Sequence, residues 1–405
     1  MNILFVNDIP FNPLEGGLER VTDVIARELI SRGYNIYYLC GKLSDSKLYL
    51  LDYDFPAKLF QLPQDGLFDN EENGVFYKQL QSNLQIDVVV NQRGLGGWFN
   101  RLLPITNTKI ISVIHSEIDA DIIVFLNKLV EYSAPPFASL KRIIKTIFPS
   151  VFSQYWKRKA LKDLQIRYNE TATFSDVIVT LCNKSIDKLK DLIDAPYKSK
   201  IVSIPNPNTF NCVEDVSIEL KSKIILYVGR LSKKDKEPLR LLKIWKNLHE
   251  KHSDWCLKIV GCGSEEGLMR DYIREFRLNN VFLEGRQSDV AQYYKEASFV
   301  CLTSNYEGWG MALTEGMQYG CVPFTFNNYC AAFDIIQDGV DGCLVPAFNI
   351  KRYSSLLSKL MMDDNKRIKM SRAAMEKVRR FSVENVVDKW EDVFNSLGAK
   401  STNIG

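Results

Sequence analysis

Apolar residues along this chain fall into short runs alternating with stripes at helical spacing. The run Ile3-Leu4-Phe5-Val6 is followed by a loop over 8–15 that carries Pro10 and Pro13 and ends at Gly16-Gly17. Val21, Val24, Ile25, Leu29 and Ile30 then recur on one helical stripe, Gly33 supplies a stop, and Ile36-Tyr37-Tyr38-Leu39-Cys40 forms the next apolar run. Strand, glycine loop, helix and strand in quick succession predict a βαβ unit, the building block of a doubly wound parallel sheet. Further buried strands are predicted over 88–90, 110–114 and 177–181.

The alternation restarts after Ile204-Pro205-Asn206-Pro207-Asn208. Strands are predicted over 224–228, 257–260, 281–283, 299–302 and 322–326, with a helix over 239–248. Pro205 and Pro207 favour extended backbone and resist helix, which suits a hinge. The pattern therefore predicts an α/β chain of two βα-rich halves, 1–207 and 208–382. A last helix over 383–397 carries Val386, Val387, Trp390, Val393 and Phe394 on one face. That face needs an apolar partner, which the pattern does not identify.

With 46% hydrophobic and 25% charged residues over 405 positions, the composition is that of a globular protein and excludes disordered, collagen-like and coiled-coil chains. Lys+Arg exceed Asp+Glu by 52 − 49 = 3, too few for a dedicated nucleic-acid binder. The first residues lack the basic region of a signal peptide, and no apolar run approaches the ~18–20 residues of a membrane span. Nine scattered cysteines read as reduced core residues. Together these predict a cytoplasmic protein.

Candidate chemistry concentrates in Ser304-Asn305-Tyr306-Glu307-Gly308-Trp309-Gly310-Met311-Ala312-Leu313-Thr314-Glu315-Gly316-Met317, which follows the strand over 299–302. Gly308 and Gly310 let backbone amides approach a ligand, and a helix starting near Met311 would offer free N–H groups and its dipole to a phosphate. Glu307 and Glu315, one in the loop and one in the helix, are spaced to contact different parts of an extended ligand, and a carboxylate suits vicinal hydroxyls. The plain alternative is two solvated glutamates on a turn. In Val228-Gly229-Arg230-Leu231-Ser232-Lys233-Lys234-Asp235-Lys236, Arg230 sits just past a strand's C-terminal end, where open α/β sheets bind ligands. Arg230 and Lys236 can neutralise a departing diphosphate without a metal; otherwise they belong to a basic surface loop. His115 directly follows the strand over 110–114, at the ligand edge of the sheet or as a structural, hydrogen-bonded histidine.

Other patterns are weaker. Gly261-Cys262-Gly263-Ser264-Glu265-Glu266-Gly267 nearly matches a dinucleotide fingerprint, but its last glycine comes one residue late. Asp52-Tyr53-Asp54 and Asp119-Ala120-Asp121 mimic a metal-binding DxD without a clear buried strand before them. His249, His252, Cys256 and Cys262 fit no common zinc spacing, and the two histidines are expected to decorate a polar helix end. No metal or other cofactor is expected. The segment 137–167 carries Lys141, Arg142, Lys145, Lys157, Arg158, Lys159, Lys162 and Arg167 against Asp163, with an apolar stripe from Leu140 to Trp156 interrupted by Pro149. It suits peripheral contact with an anionic membrane, although packing on the core also explains the stripe.

Gly16-Gly17 after the first strand, Ile204-Pro205-Asn206-Pro207, Val228-Gly229-Arg230 with Lys236, and the Glu307/Glu315 pair, in this order, resemble the retaining glycosyltransferases of the GT-B fold known as family 4 or group 1. The resemblance runs from Met1 to about Leu397. It implies two Rossmann-like domains facing across a cleft, with the nucleotide-sugar donor on the C-terminal one and the last helix crossing back to the N-terminal one. By the same resemblance Arg230 and Lys236 would neutralise the diphosphate, Glu315 would bind ribose hydroxyls, and Glu307 and His115 the donor sugar. Gly16 and Gly17 would pack against the diphosphate. Amides from Gly308 through Gly310, Met311, Ala312, Leu313 and Thr314 would complete the phosphate and sugar contacts, with Gly263 and Arg286 near the base. The spacing from Arg230 to Lys236 is one longer than the family's commoner one, so Lys233 or Lys234 is a candidate to share that role.

The expected activity is metal-independent transfer of a hexosyl or N-acetylhexosaminyl group, with retention, from a nucleoside diphosphate sugar, UDP by family frequency, to a glycan or lipid-linked glycan acceptor in bacterial surface polysaccharide synthesis. A GT-B epimerase, a sugar phosphorylase and a catalytically silent nucleotide-sugar-binding protein are the alternatives. Acceptor choice is assigned to the loops over 45–73 and 117–168.

Overall fold

The computed structural model describes residues 1–9, 11–12, 16–44, 54–65, 70–94, 107–120, 122–123, 149–210 and 216–398. The N-terminal strands are β1 (Asn2–Val6), β2 (Asn35–Cys40), β3 (Lys58–Gln61), β4 (Val88–Asn91), β5 (Lys109–Ile114), β6 (Val177–Thr180) and β7 (Ile201–Ser203). Among the described residues they form one parallel sheet in the order β3-β2-β1-β4-β5-β6-β7. The helices α1 (Gly17–Ser31), α2 (Glu71–Asn83), α3 (Pro149–Phe174) and α4 (Asn183–Lys190) occur between these strands. The register places Ile3 opposite Val88 and Leu4 opposite Val89. All four are fully buried, and alternate residues of β1 and β4 enter separate apolar clusters. A strand covered on both faces must be apolar at consecutive positions, which is why these runs do not alternate.

The second sheet contains β8 (Ser222–Val228), β9 (Cys256–Val260), β10 (Val281–Gly285), β11 (Ala297–Cys301), β12 (Val322–Phe326) and β13 (Cys343–Val345). Its order is β10-β9-β8-β11-β12-β13, again parallel. With it run α5 (Leu239–Lys246), α6 (Glu266–Glu275), α7 (Ala291–Glu296), α8 (Met311–Gln318), α9 (Ala332–Ile335), α10 (Ile350–Met361) and α11 (Asp364–Val378). The strand order reverses beside β1 in one sheet and beside β8 in the other. Loops leaving the C-terminal ends of neighbouring strands diverge at such points and open a crevice. The loop after β1 carries Gly16 and Gly17, the loop after β8 carries Arg230, and the loop after β11 carries Glu307.

Two chain crossings join the halves side by side. Asn208, after the prolines, donates its backbone N–H to Phe381 O (2.7 Å) and its side-chain amide to Val378 O (3.0 Å). Ser382 then caps α12 (Val383–Ser396), which packs on α1. Arg32 reaches Asp388 and Glu391, both at 2.6 Å, and Tyr34 donates to Glu391 (3.0 Å). Val386, Val387, Trp390, Val393 and Phe394 are buried there, each burial stabilising by roughly 1.5–3 kcal/mol.

Three strands were not predicted. β3 lies at a sheet edge with only two apolar residues, and β7 and β13 are three residues long, too short for a periodicity to register. α3 is described from Pro149, and a proline is tolerated at a helix's first position because its missing N–H would have no partner there; the part of the predicted stripe before Pro149 lies outside the described residues.

Candidate active site

The loop after β8 is held from three sides. Tyr227 donates its hydroxyl to Arg230 O (2.9 Å). The N–H groups of Lys236 and Glu237 both reach Ser232 O, at 3.1 and 2.8 Å, and Glu237 takes a left-handed φ of +43° to close the turn. Asn305, in the loop after β11, then clamps it. Its backbone N–H reaches Asp235 O (2.7 Å), and its side-chain amide reaches Lys233 O (3.0 Å) and Lys234 O (3.3 Å). Arg240 of α5 in turn donates to Asn305 Oδ1 (2.9 Å) and to Thr303 O, while stacked on Phe348.

This scaffold brings the predicted residues together. Lys236 Nζ lies 2.7 Å from each oxygen of Glu307, and Ser304 Oγ donates to Glu307 Oε1 at 2.6 Å. Glu307 is buried, and a buried carboxylate requires such partners. Among the described residues Arg230 pairs with Asp235 (2.8 Å), and it is 76% exposed, so its guanidinium can follow a ligand. Lys233 and Lys234 are exposed; Lys236 is the loop lysine that meets Glu307.

Gly310 precedes α8 at φ +100°, a conformation that favours glycine, and as the N-cap residue it offers no side chain to cap the helix. Helix geometry leaves the first amides, those of Met311 and Ala312, without intrahelical acceptors, pointing positive charge at the crevice. Leu313 and Thr314 continue the first turn, where Leu313 N–H returns to Gly310 O (2.8 Å) and Thr314 Oγ1 to Met311 O (3.1 Å). Glu315 is buried inside the helix. Its Oε1 accepts from Thr209 Oγ1 (2.9 Å) and meets Arg20 Nη1 (3.3 Å), and its Oε2 accepts from Tyr294 (2.9 Å). Burial and the adjacent carboxylate hold the Tyr294 hydroxyl well above its ordinary pKa, so it stays a donor.

The N-terminal half supplies the opposite wall. Gly16 caps α1, with Glu19 folded over it so closely that a Cβ there would lie 1.8 Å from Glu19 Oε2. A Cβ on Gly17 would be 3.7 Å from Met311 Cγ, so the starts of α1 and α8 face each other. His115, at the end of β5, shares its Nε2 proton with Gln92 Oε1, leaving Nδ1 to accept. Burial pushes its pKa down to about 3, so the ring is neutral at ordinary pH. Its carbonyl abuts Gly308 from across the crevice. Gly263 packs on the loop after β8, where Leu231 N–H reaches Cys262 O (2.9 Å), and exposed Arg286 follows β10 at the same sheet edge.

Several residues here escaped the sequence reading. Arg20 and Thr209 lie far from Glu315 along the chain, and no spacing rule joins them. Asn305 and Ser304 sit inside the quoted motif but carried no assignment. Two expectations are corrected. His249 and His252 are buried, not at a solvated helix end, and His252 bonds Ser358 Oγ (2.8 Å) because α10 packs over them. Tyr155 does not join an apolar stripe on the core; it is exposed, because α3 turns Leu164, Tyr168 and Ala172 inward instead. Asp119 pairs with Lys188 (2.6 Å), whereas Asp52, Asp121 and residues 137–148 lie outside the described residues.

Residues 212–377 match the family model for glycosyl transferases group 1. A glycosyltransferase of Haemophilus influenzae is 30% identical over 221 residues, 53% of this chain and 62% of that protein. The amylovoran biosynthesis glycosyltransferase AmsD of Erwinia amylovora is 29% identical over 189 residues, 46% of this chain and 52% of the relative. The chain thus spans about half to three fifths of these two curated relatives. The structure of TarM from S. aureus, solved with fondaparinux, α-GlcNAc-glycerol and UDP, superposes with a TM-score of 0.71 at 13% identity over 97% of this chain and 99% of that one. The fold is therefore the GT-B arrangement of two Rossmann-like domains that the sequence led us to expect.

Proposed function

We propose that this chain, whose residues 212–377 match the family model for glycosyl transferases group 1, moves a hexosyl or N-acetylhexosaminyl group from a nucleoside diphosphate sugar to a glycan or lipid-linked glycan in bacterial surface polysaccharide synthesis. The observation that carries this reading is Lys236 held by both oxygens of Glu307, where the loop that carries Arg230 is clamped by Asn305 to the loop that leads into α8. Cations and free helix amides on these neighbouring loops suit a leaving diphosphate and would supply the charge that a divalent ion supplies elsewhere. UDP as the donor's nucleotide is supported by the UDP that TarM binds.

In this reading Glu315 accepts from the ribose hydroxyls, while Glu307 and the Nδ1 of neutral His115 accept from hydroxyls of the donor sugar. The bond between the anomeric carbon and the diphosphate oxygen breaks as the acceptor oxygen bonds to the same face. The acceptor's proton passes to the leaving phosphate, so configuration is retained without a covalent adduct. Nucleotide-dependent thermal shifts and donor turnover, each measured in EDTA across UDP, GDP, ADP and dTDP sugars, test it. We expect one base to stabilise the chain and support transfer undiminished by EDTA. Activity lost in EDTA and restored by manganese would reject metal independence. Interconversion of the sugar without acceptor, a requirement for inorganic phosphate, or binding without turnover would replace transfer by epimerase, phosphorylase or silent binder.

The acceptor's lipid would lie at a membrane surface. Among the described residues no helix is long and apolar enough to cross a membrane. α3, however, exposes Tyr155 and Ile166 beside the exposed cations Lys157, Arg158, Lys159, Lys162 and Arg167. Exposed apolar side chains amid positive charge suit the headgroup region of an anionic leaflet on the cytoplasmic side. We expect the chain to sediment with anionic liposomes at low salt and to be released by high salt. Failure to sediment at low salt would remove the membrane contact.

A further inference from the structure

Each cation that the proposed function uses is held by a carboxylate: Arg230 by Asp235 and Lys236 by Glu307. A third such pair crosses the crevice, between Arg20 of α1 and Glu315 of α8. We propose that Arg20 is a diphosphate-binding residue contributed by the N-terminal domain, which Glu315 holds until a nucleotide's ribose takes that carboxylate. This rests on the donor-site reading above.

Three features of Arg20 favour a second partner. Its contact with Glu315 is a single one through Nη1 at 3.3 Å, longer than the 2.9 Å bonds that Thr209 and Tyr294 make to the same carboxylate. Its Nε is buried and has no acceptor among the described residues, so a fork built for planar, multi-oxygen anions is only partly used. It also stands in the first turn of α1, where the helix dipole disfavours a cation unless an anion is near. That anion would sit between the starts of α1 and α8, which Gly17 and Met311 bring into contact. Hydroxyls of a ribose donating to Glu315 would compete with the guanidinium for Oε1. The released Arg20 would swing to the phosphates that the same nucleotide delivers. Donor binding and approach of the N-terminal domain would then be one event, since the arginine and its carboxylate come from opposite sheets.

The test is titration calorimetry on the full chain with whichever nucleoside diphosphate it binds and with the corresponding nucleoside, comparing wild type, Arg20→Ala, Arg20→Gln and Arg20→Lys. We expect Arg20→Ala and Arg20→Gln to weaken nucleoside diphosphate binding roughly 10- to 100-fold, the worth of a charge-assisted contact. Nucleoside binding should stay equal or tighten, because Glu315 is freed, and Arg20→Lys should recover part of the loss. Should the alanine variant melt early, the glutamine variant carries the same comparison. Equal weakening of both ligands would reduce Arg20 to a prop for Glu315 and overturn the proposal, as would unchanged diphosphate binding. A wild-type chain that binds no nucleoside diphosphate would overturn the donor site itself, a result separate from any effect of Arg20.

Discussion

Replacing Lys236 by alanine is expected to lower turnover by about 10²-fold or more while the C-terminal domain stays folded, and Arg230→Ala is expected to do the same. The fold should survive because the backbone of their loop is held by Asn305, Arg240 and Tyr227, none of which depends on either side chain. The loss should appear in kcat more than in donor KM, because the charge these cations meet is greatest as the sugar departs. The two variants should nevertheless differ. Arg230 is largely exposed and leaves behind a half-buried Asp235, whereas removing Lys236 takes from the buried Glu307 its cation and leaves it the hydroxyl of Ser304. Lys236→Ala should therefore also disturb donor-sugar binding, and Lys234→Ala, on an exposed neighbour, should be silent. Steady-state transfer, or slow donor hydrolysis where the acceptor is not in hand, measures this. Near-normal rates in both Arg230→Ala and Lys236→Ala would remove the two cations from the mechanism.

The sequence marked the residues of the proposed site but not the contacts that join them. Glu307, Lys236, Glu315 and His115 were each legible because they follow strand ends or sit beside glycines, positions where a parallel sheet opens towards a ligand. The contact between Lys236 and Glu307 was not, because it joins loops after strands that become neighbours only once the sheet order places β11 beside β8. Arg20 is less legible still. As sequence it is one polar residue on an amphipathic helix, and only the packing of two domains turns it towards Glu315. The buried pair His249 and His252 failed for the opposite reason. A polar-looking stretch lies under α10, and no local pattern records what a later helix covers. Long central strands and the last helix were readable because each must bury a whole face. The short strands β7 and β13 take their extended form from their neighbours.

Gly308→Ala is the substitution expected to separate folding from catalysis. A Cβ at Gly308 would lie 1.7 Å from His115 O and 2.7 Å from the carbonyl carbon, with Ser116 Cα at 3.2 Å. These are backbone atoms of the other domain, so no side-chain rotation relieves the clash. The cheapest relief is a small opening of the crevice about the two crossings near Asn208 and Ser382. That motion leaves both cores intact, so the melting temperature should stay close to wild type. It carries His115, Gly17 and Arg20 away from Glu307, Met311 and Glu315, and a displacement of about an ångström at reacting groups is enough to cost roughly 10²-fold in turnover. Binding of the nucleoside diphosphate should fall by no more than the loss of Arg20 costs, because Arg230, Lys236 and the start of α8 move as one body. Gly261→Ala supplies the contrast. There a Cβ would meet Gly229 O at 1.9 Å within one domain, at φ +143°, and no hinge can relieve it, so a lowered melting temperature is expected. Calorimetric melting and single-turnover transfer on the two variants decide the matter. Full activity in Gly308→Ala would mean that the approach of His115 to Gly308 is not the geometry in which the sugar moves.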